Sequence, residues 1–85
     1  MPRFIIERQF AEQLDLDDEA RLSIKAINDA EGVEWIYSFL SADKRKTYCL
    51  YEAPDEASLQ RAARKLNIPA DVITPVDRID PGVFA

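Results

Sequence analysis

At 85 residues the chain is sized for one domain, and a chain this short buries only about 60 to 65% of the surface its unfolded form exposes, so its own core is thin. With 47% apolar residues it is too hydrophobic for a disordered polymer, and a formal charge of -5 without a dense Lys/Arg patch argues against nucleic acid or anionic membrane as the main partner. The single cysteine, Cys49, leaves no intramolecular disulfide or thiolate-rich zinc site, and MPRFIIERQF holds no apolar run long enough for a signal peptide or a membrane span, which together point to a cytoplasmic location.

The first strand is expected from Arg3 to Phe10. Its pleat sends Phe4, Ile6 and Arg8 to one face and Ile5 and Glu7 to the other, so both faces are partly apolar, as in a central strand. Asp17 is placed to cap a helix whose first turn carries Asp18 and Glu19 at the positive end of the macrodipole. Leu16, Ala20, Ile24, Ile27 and Ala30 recur at helical spacing as one narrow apolar stripe, and Gly32 ends the helix as a left-handed cap.

Val33 to Ser41 and Thr47 to Glu52 read as two strands joined by a polar hairpin connection, Ala42 to Lys46. Asp55 then caps a second helix with Leu59, Ala62, Ala63 and Leu66 on its buried face, stopped by Asn67, Ile68 and Pro69. Asp71 to Ile79 is a fourth strand, which Pro75 confines to an edge or a bulge because it cannot donate a ladder hydrogen bond. Asp80 to Ala85 is a short tail in which Phe84 is free to dock on the body or a partner. The order β-α-β-β-α-β gives an α+β, ferredoxin-like domain over residues 1-85 with an antiparallel sheet ordered 4-1-3-2 and both helices on one face.

On the second strand the pleat puts Trp35, Tyr37 and Phe39 together on one face and Ile36, Ser38 and Leu40 on the other. Two helices cover only one face, so the aromatic one, joined by Cys49 and Tyr51 from the next strand, is expected to meet a second copy of the chain or a ligand. Glu7, Arg8 and Glu52 are strand charges that must reach the rim or find a partner. Either carboxylate is a candidate proton acceptor or hard-metal ligand. Cys49 lies in an apolar run, a setting that leaves a thiol inert.

The complete absence of histidine removes Ser-His and Cys-His catalysis and the preferred ligand for zinc or nickel. With only Gly32 and Gly82 there is no phosphate-binding glycine loop. RNA-recognition domains share this strand order, but their third strand alternates aromatics on one open face, whereas Tyr48 and Tyr51 point oppositely here. Lys44, Arg45 and Lys46 read as a solvated hairpin tip able to hold a small anion.

The segments FIIERQF, EGVEWIYSFLSADKRKTYCLYEAPDEASLQRAA and NIPADVITPV resemble a bacterial family of small uncharacterised proteins that includes a nickel-binding, ferredoxin-like member. The resemblance rests on Glu7-Arg8, Gly32-Val33-x-Trp35, Lys46-Thr47-x-Cys49 and Tyr51-x-Ala53-Pro54, and it implies a subunit of a dimeric α+β barrel. With no histidine, a metal site in this chain would have to use Glu7, Glu52, carbonyls and water, a set suited to magnesium, calcium or manganese and poor for nickel.

The resulting expectation is a non-catalytic homodimer that binds a small molecule or a metal ion through Glu7, Trp35, Tyr37, Cys49 and Tyr51, with no cofactor beyond a divalent metal in view. The alternative is a cofactor-free enzyme of monooxygenase or isomerase type, in which Glu7 or Glu52 acts as base beside Trp35 and Tyr51.

Overall fold

The structure, a computed structural model, describes residues 1–83. Strand β1 (Arg3–Gln9) is followed by helix α1 (Asp18–Ala30), β2 (Glu34–Leu40), β3 (Lys46–Glu52), α2 (Glu56–Leu66) and β4 (Val72–Val76), with a short 3-10 turn at Pro81–Val83. The sheet is ordered β2-β3-β1-β4 and every neighbouring pair is antiparallel, which is the expected α+β, ferredoxin-like arrangement. Strand β4 is shorter than its sequence suggests, ending at Val76, and Pro75 sits on this edge strand as the missing N–H requires. Phe84 lies outside the described residues. No helix among the described residues is long and apolar enough to cross a membrane.

Local chemistry sets the helix ends. The Asp17 carboxylate accepts the Ala20 N–H at 2.8 Å, and Asp55 accepts both the N–H and the hydroxyl of Ser58, each at 2.8 Å. Gly32 takes φ +70° just beyond α1, and Asn67 takes φ 55° beyond α2, so both stops use the left-handed conformation that glycine and asparagine tolerate best.

The two helices are docked unequally. Helix α2 buries Ser58, Leu59, Ala62 and Ala63, and Leu59 joins Phe4, Ile6, Val33, Cys49, Tyr51 and Ala53 in the core. Helix α1 buries only Asn28; Leu16, before its first turn, and Ala20, Ile24 and Ile27 within it are half-buried, and Ala30 is exposed. Its apolar stripe therefore faces the sheet without closing on it. What ties α1 to its neighbour is Glu31, which accepts from Arg61 at 2.9 Å and from Lys65, both on α2.

Hydrogen bonding from Lys65, and then from Arg61, holds the Glu31 carboxyl below its ordinary 4.5. A depressed carboxylate value stabilises the fold above about pH 4.5 and loses that contribution as pH falls through the folded value. Glu31→Gln is therefore expected to lower the urea midpoint at pH 7, with the gap to the parent protein narrowing as pH falls below 4.5. A gap that keeps its full size as pH falls well below 4.5 would mean that the ion pairs are not what the substitution removes.

Candidate ligand cavity between sheet and helix

A β-bulge in β2 decides which side chains meet. Trp35 lies opposite Tyr51 and Tyr37 opposite Leu50, so Ile36 is the extra residue and the alternation shifts by one after Trp35. Trp35, Ser38 and Leu40 consequently face the helices, while Tyr37 and Phe39 face away. The expectation that Trp35, Tyr37 and Phe39 share a face fails for this reason, because alternation counted from sequence cannot see a two-against-one pairing. The bulge is closed on the helix side by the indole N–H of Trp35, which donates to Ser38 Oγ at 2.8 Å.

On the helix side, register stacks three cross-strand rows: Trp35–Tyr51–Phe4, Ser38–Cys49–Ile6 and Leu40–Thr47–Arg8. Because α1 stands off the sheet, the last rows form the floor of a cavity of about 460 Å³. Ile24 of α1 and Leu14 and Leu16 of the preceding loop form its roof. The hairpin connection holds that loop in place: Phe10 N–H donates to the Arg45 carbonyl and Leu14 N–H to that of Lys44, both at 2.7 Å, and the Arg45 guanidinium returns a bond to the Ala11 carbonyl at 2.9 Å. Arg45 is thus a strut for the cavity wall rather than a free tip charge.

The five expected ligand-binding residues divide between the two faces. Trp35, Cys49 and Tyr51 line the cavity; Glu7 and Tyr37 lie on the opposite, open face. Glu7 meets Lys46 at 3.3 Å and Glu52 meets Arg3 at 3.0 Å. Lys46 lies over the Tyr48 ring at 4.9 Å, and Tyr48 first, then Glu7, holds its ammonium above the usual 10.5. Glu7 lies opposite Tyr48, so the two carboxylates are four positions apart along the pair, on the order of 13 Å. Neither approaches Trp35 or Tyr51 across the sheet, and they do not come together as joint ligands.

Arg8, expected on the face of Phe4 and Ile6 and expected to reach the rim or find a partner, does neither of the latter and joins the cavity, a role not assigned to it from sequence. It is 4% exposed, its guanidinium carbon lies 5.4 Å from the Tyr51 ring centroid, and its Nε and Nη1 have no hydrogen-bond partner among the described residues. The hydroxyl of Thr47, directly opposite in register, is likewise buried and unpartnered. The available signal was parity: Arg8 shares the face of Phe4 and Ile6.

These features sit in a chain with a recognisable kin group. Residues 4–76 match the family model described as nickel responsive protein SCO4226-like. The chain belongs to this family. The crystal structure of SCO4226 from Streptomyces coelicolor A3(2) superposes with a TM-score of 0.77 at 21% identity, covering 92% of this chain and 99% of that one, which establishes the shared fold. No curated protein matches the chain.

Burial pushes the Tyr51 phenol up from the usual 10 to about 12, with Arg8 pulling the other way. A raised folded value means stability that is fully present below pH 10 and lost as pH climbs through 12. Between pH 9 and 11.5 this one group should remove about 2 kcal/mol, and Tyr51→Phe should lose that share of the alkaline slope in chemical denaturation.

Proposed function

We propose that this SCO4226-like protein is a non-catalytic small-molecule carrier or sensor that acts as a homodimer, holding its ligand between sheet and helix α1. The observation that carries this reading is the cavity itself: about 460 Å³, within the range of small-molecule sites, with an apolar roof and a few buried polar groups on its floor. The enzyme alternative has less support. Its two candidate bases lie on the far face in ion pairs with lysine and arginine, and Cys49, at the cavity floor, has no histidine to activate it.

Nickel enters the family's description, but the donor set of this chain does not fit that ion. Nickel favours imidazole nitrogen and thiolate sulfur; the chain has no histidine, and Cys49 is its only thiol. Among the described residues no three His, Cys, Asp or Glu side chains gather closely enough to hold a metal. A response to nickel, if this chain shares it, would have to run through something other than a metal centre within one subunit.

Support for the homodimer comes from the open face of the sheet. Ile5, Leu50, Tyr48, Tyr37 and Phe39 make an apolar surface there, with Tyr37 51% and Phe39 64% exposed and their rings 5.5 Å apart edge to face. Two flanking pairs, Arg3–Glu52 and Glu7–Lys46, are neutralised within the subunit, while Glu34, opposite Glu52, stays exposed at the β2 edge. A patch that is apolar at its centre, with most of its rim charge paired within the subunit, suits an isologous contact with a second copy.

Two measurements test this reading. Sedimentation should report a dimer that Phe39→Asp converts to monomer while Trp35→Phe leaves it intact; a wild-type monomer would sink the interface. Titration with the uncharged probe N-phenyl-1-naphthylamine should quench Trp35 emission, and Ile24→Phe, which fills the cavity, should weaken that binding at least fivefold on the order of the lost apolar contact. Unquenched Trp35 at saturating probe would remove the cavity from consideration.

A further inference from the structure

A guanidinium with two unpartnered nitrogens is an unusual thing to find at the floor of an apolar cavity. Burying a charge without a partner is costly, and arginine cannot escape by losing its proton as lysine can. Arg8 is nevertheless 4% exposed, with Nε and Nη1 unpartnered among the described residues. The neighbouring Thr47 hydroxyl is also without a partner, and the two side chains face each other across the β1–β3 pair. Both belong to the cavity lining. Among the described residues no carboxylate pairs with Arg8: Glu7 and Glu52 are on the other side of the sheet, and Asp15, the acidic residue that does line the cavity, is exposed. Tyr51 lies against the cation, its ring centroid 5.4 Å away and its hydroxyl within reach of the guanidinium, but Nε and Nη1 stay without a partner among the described residues.

We propose that the ligand is a monoanion, a carboxylate on an apolar body, whose head group is bound by Arg8 and Thr47. The inference rests on the cavity's being the ligand site and adds the ligand's chemical class. One buried guanidinium balances one negative charge, so a doubly charged head group would carry uncompensated charge into the interior. Thr47 supplies an additional hydroxyl donor beside the guanidinium, and charge-assisted hydrogen bonds of this kind are the strong ones. The rest of the cavity, with Leu14, Leu16, Ile24, Trp35 and Leu40, asks for hydrocarbon or an aromatic ring. Arg21 and Lys44, exposed residues of the same lining, put further positive charge on the solvent side and would draw an anion inward. The net charge of -5 makes this local cationic lining stand out against the rest of the chain.

The test compares decanoate with 1-decanol, which differ mainly in the head group, by quenching of Trp35 emission in the full-length protein at pH 7. Decanoate is expected to bind roughly 30-fold more tightly than decanol, the discrimination typical of a hydrogen bond to a charged group. Arg8→Met should abolish the preference while leaving decanol affinity within about twofold, since the methionine keeps an apolar stem of similar reach. Thr47→Val, which retains the shape and removes the orphan hydroxyl, should reduce the preference several-fold and serves if Arg8→Met does not fold. Equal binding of the two probes would overturn the anion assignment and leave the cavity standing. Binding of neither would overturn the cavity as well. A preference that survives in a folded Arg8→Met protein would overturn the role of Arg8.

Discussion

Seven cross-strand pairs between β1 and β3, from Arg3–Glu52 to Gln9–Lys46, are the constraint on which the rest of the structure depends. They join the two central strands, and because side-chain parity is conserved across an antiparallel pair they sort the sheet into two chemically different faces. Phe4, Ile6, Arg8, Thr47, Cys49 and Tyr51 go to the helix side; Arg3, Ile5, Glu7, Tyr48, Leu50 and Glu52 go to the open side. A slip of one residue would exchange these sets, expose the core and leave the paired charges under the helices.

On that frame the molecule spends its packing unevenly. Helix α2 closes firmly with Leu59, Ala62 and Ala63, and together with Ile6, which is completely buried, it makes the best-packed part of the core. Helix α1 is held mainly at its C-terminal end by Glu31 and by the turn through Gly32, while its N-terminal half stands off the sheet. The space that results lies at the end of the sheet where β1 places Arg8. A thin core and the cavity are thus the same feature seen twice: a small domain that closed both helices fully would be better packed but would have no such space.

The bulge at Ile36 gives the edge strand two roles. Before it, Trp35 belongs to the helix side and contributes to the cavity; after it, Tyr37 and Phe39 belong to the open face. One strand thereby serves both the proposed ligand site and the proposed contact between copies, and the Trp35–Ser38 hydrogen bond spans the irregularity that makes this switch.

From the amino-acid sequence alone came the element order, the strand order, the caps at Asp17, Asp55 and Gly32, and the edge placement of Pro75, all of which follow from local propensity and from patterns spanning a few residues. The absence of histidine, equally legible, already made nickel a poor fit for one chain. Only the tertiary structure decided the site. Which face Trp35 occupies depends on a register shift that β2 adopts against β3, and a bulge leaves no mark in the alternation of EWIYSFL. Whether Arg8 is paired depends on which carboxylates lie across the sheet and on how far α1 stands from it, and those are distances between segments remote in sequence. Periodicity tells a residue's parity along its own strand; the partner opposite, and the emptiness above it, are properties of the folded chain.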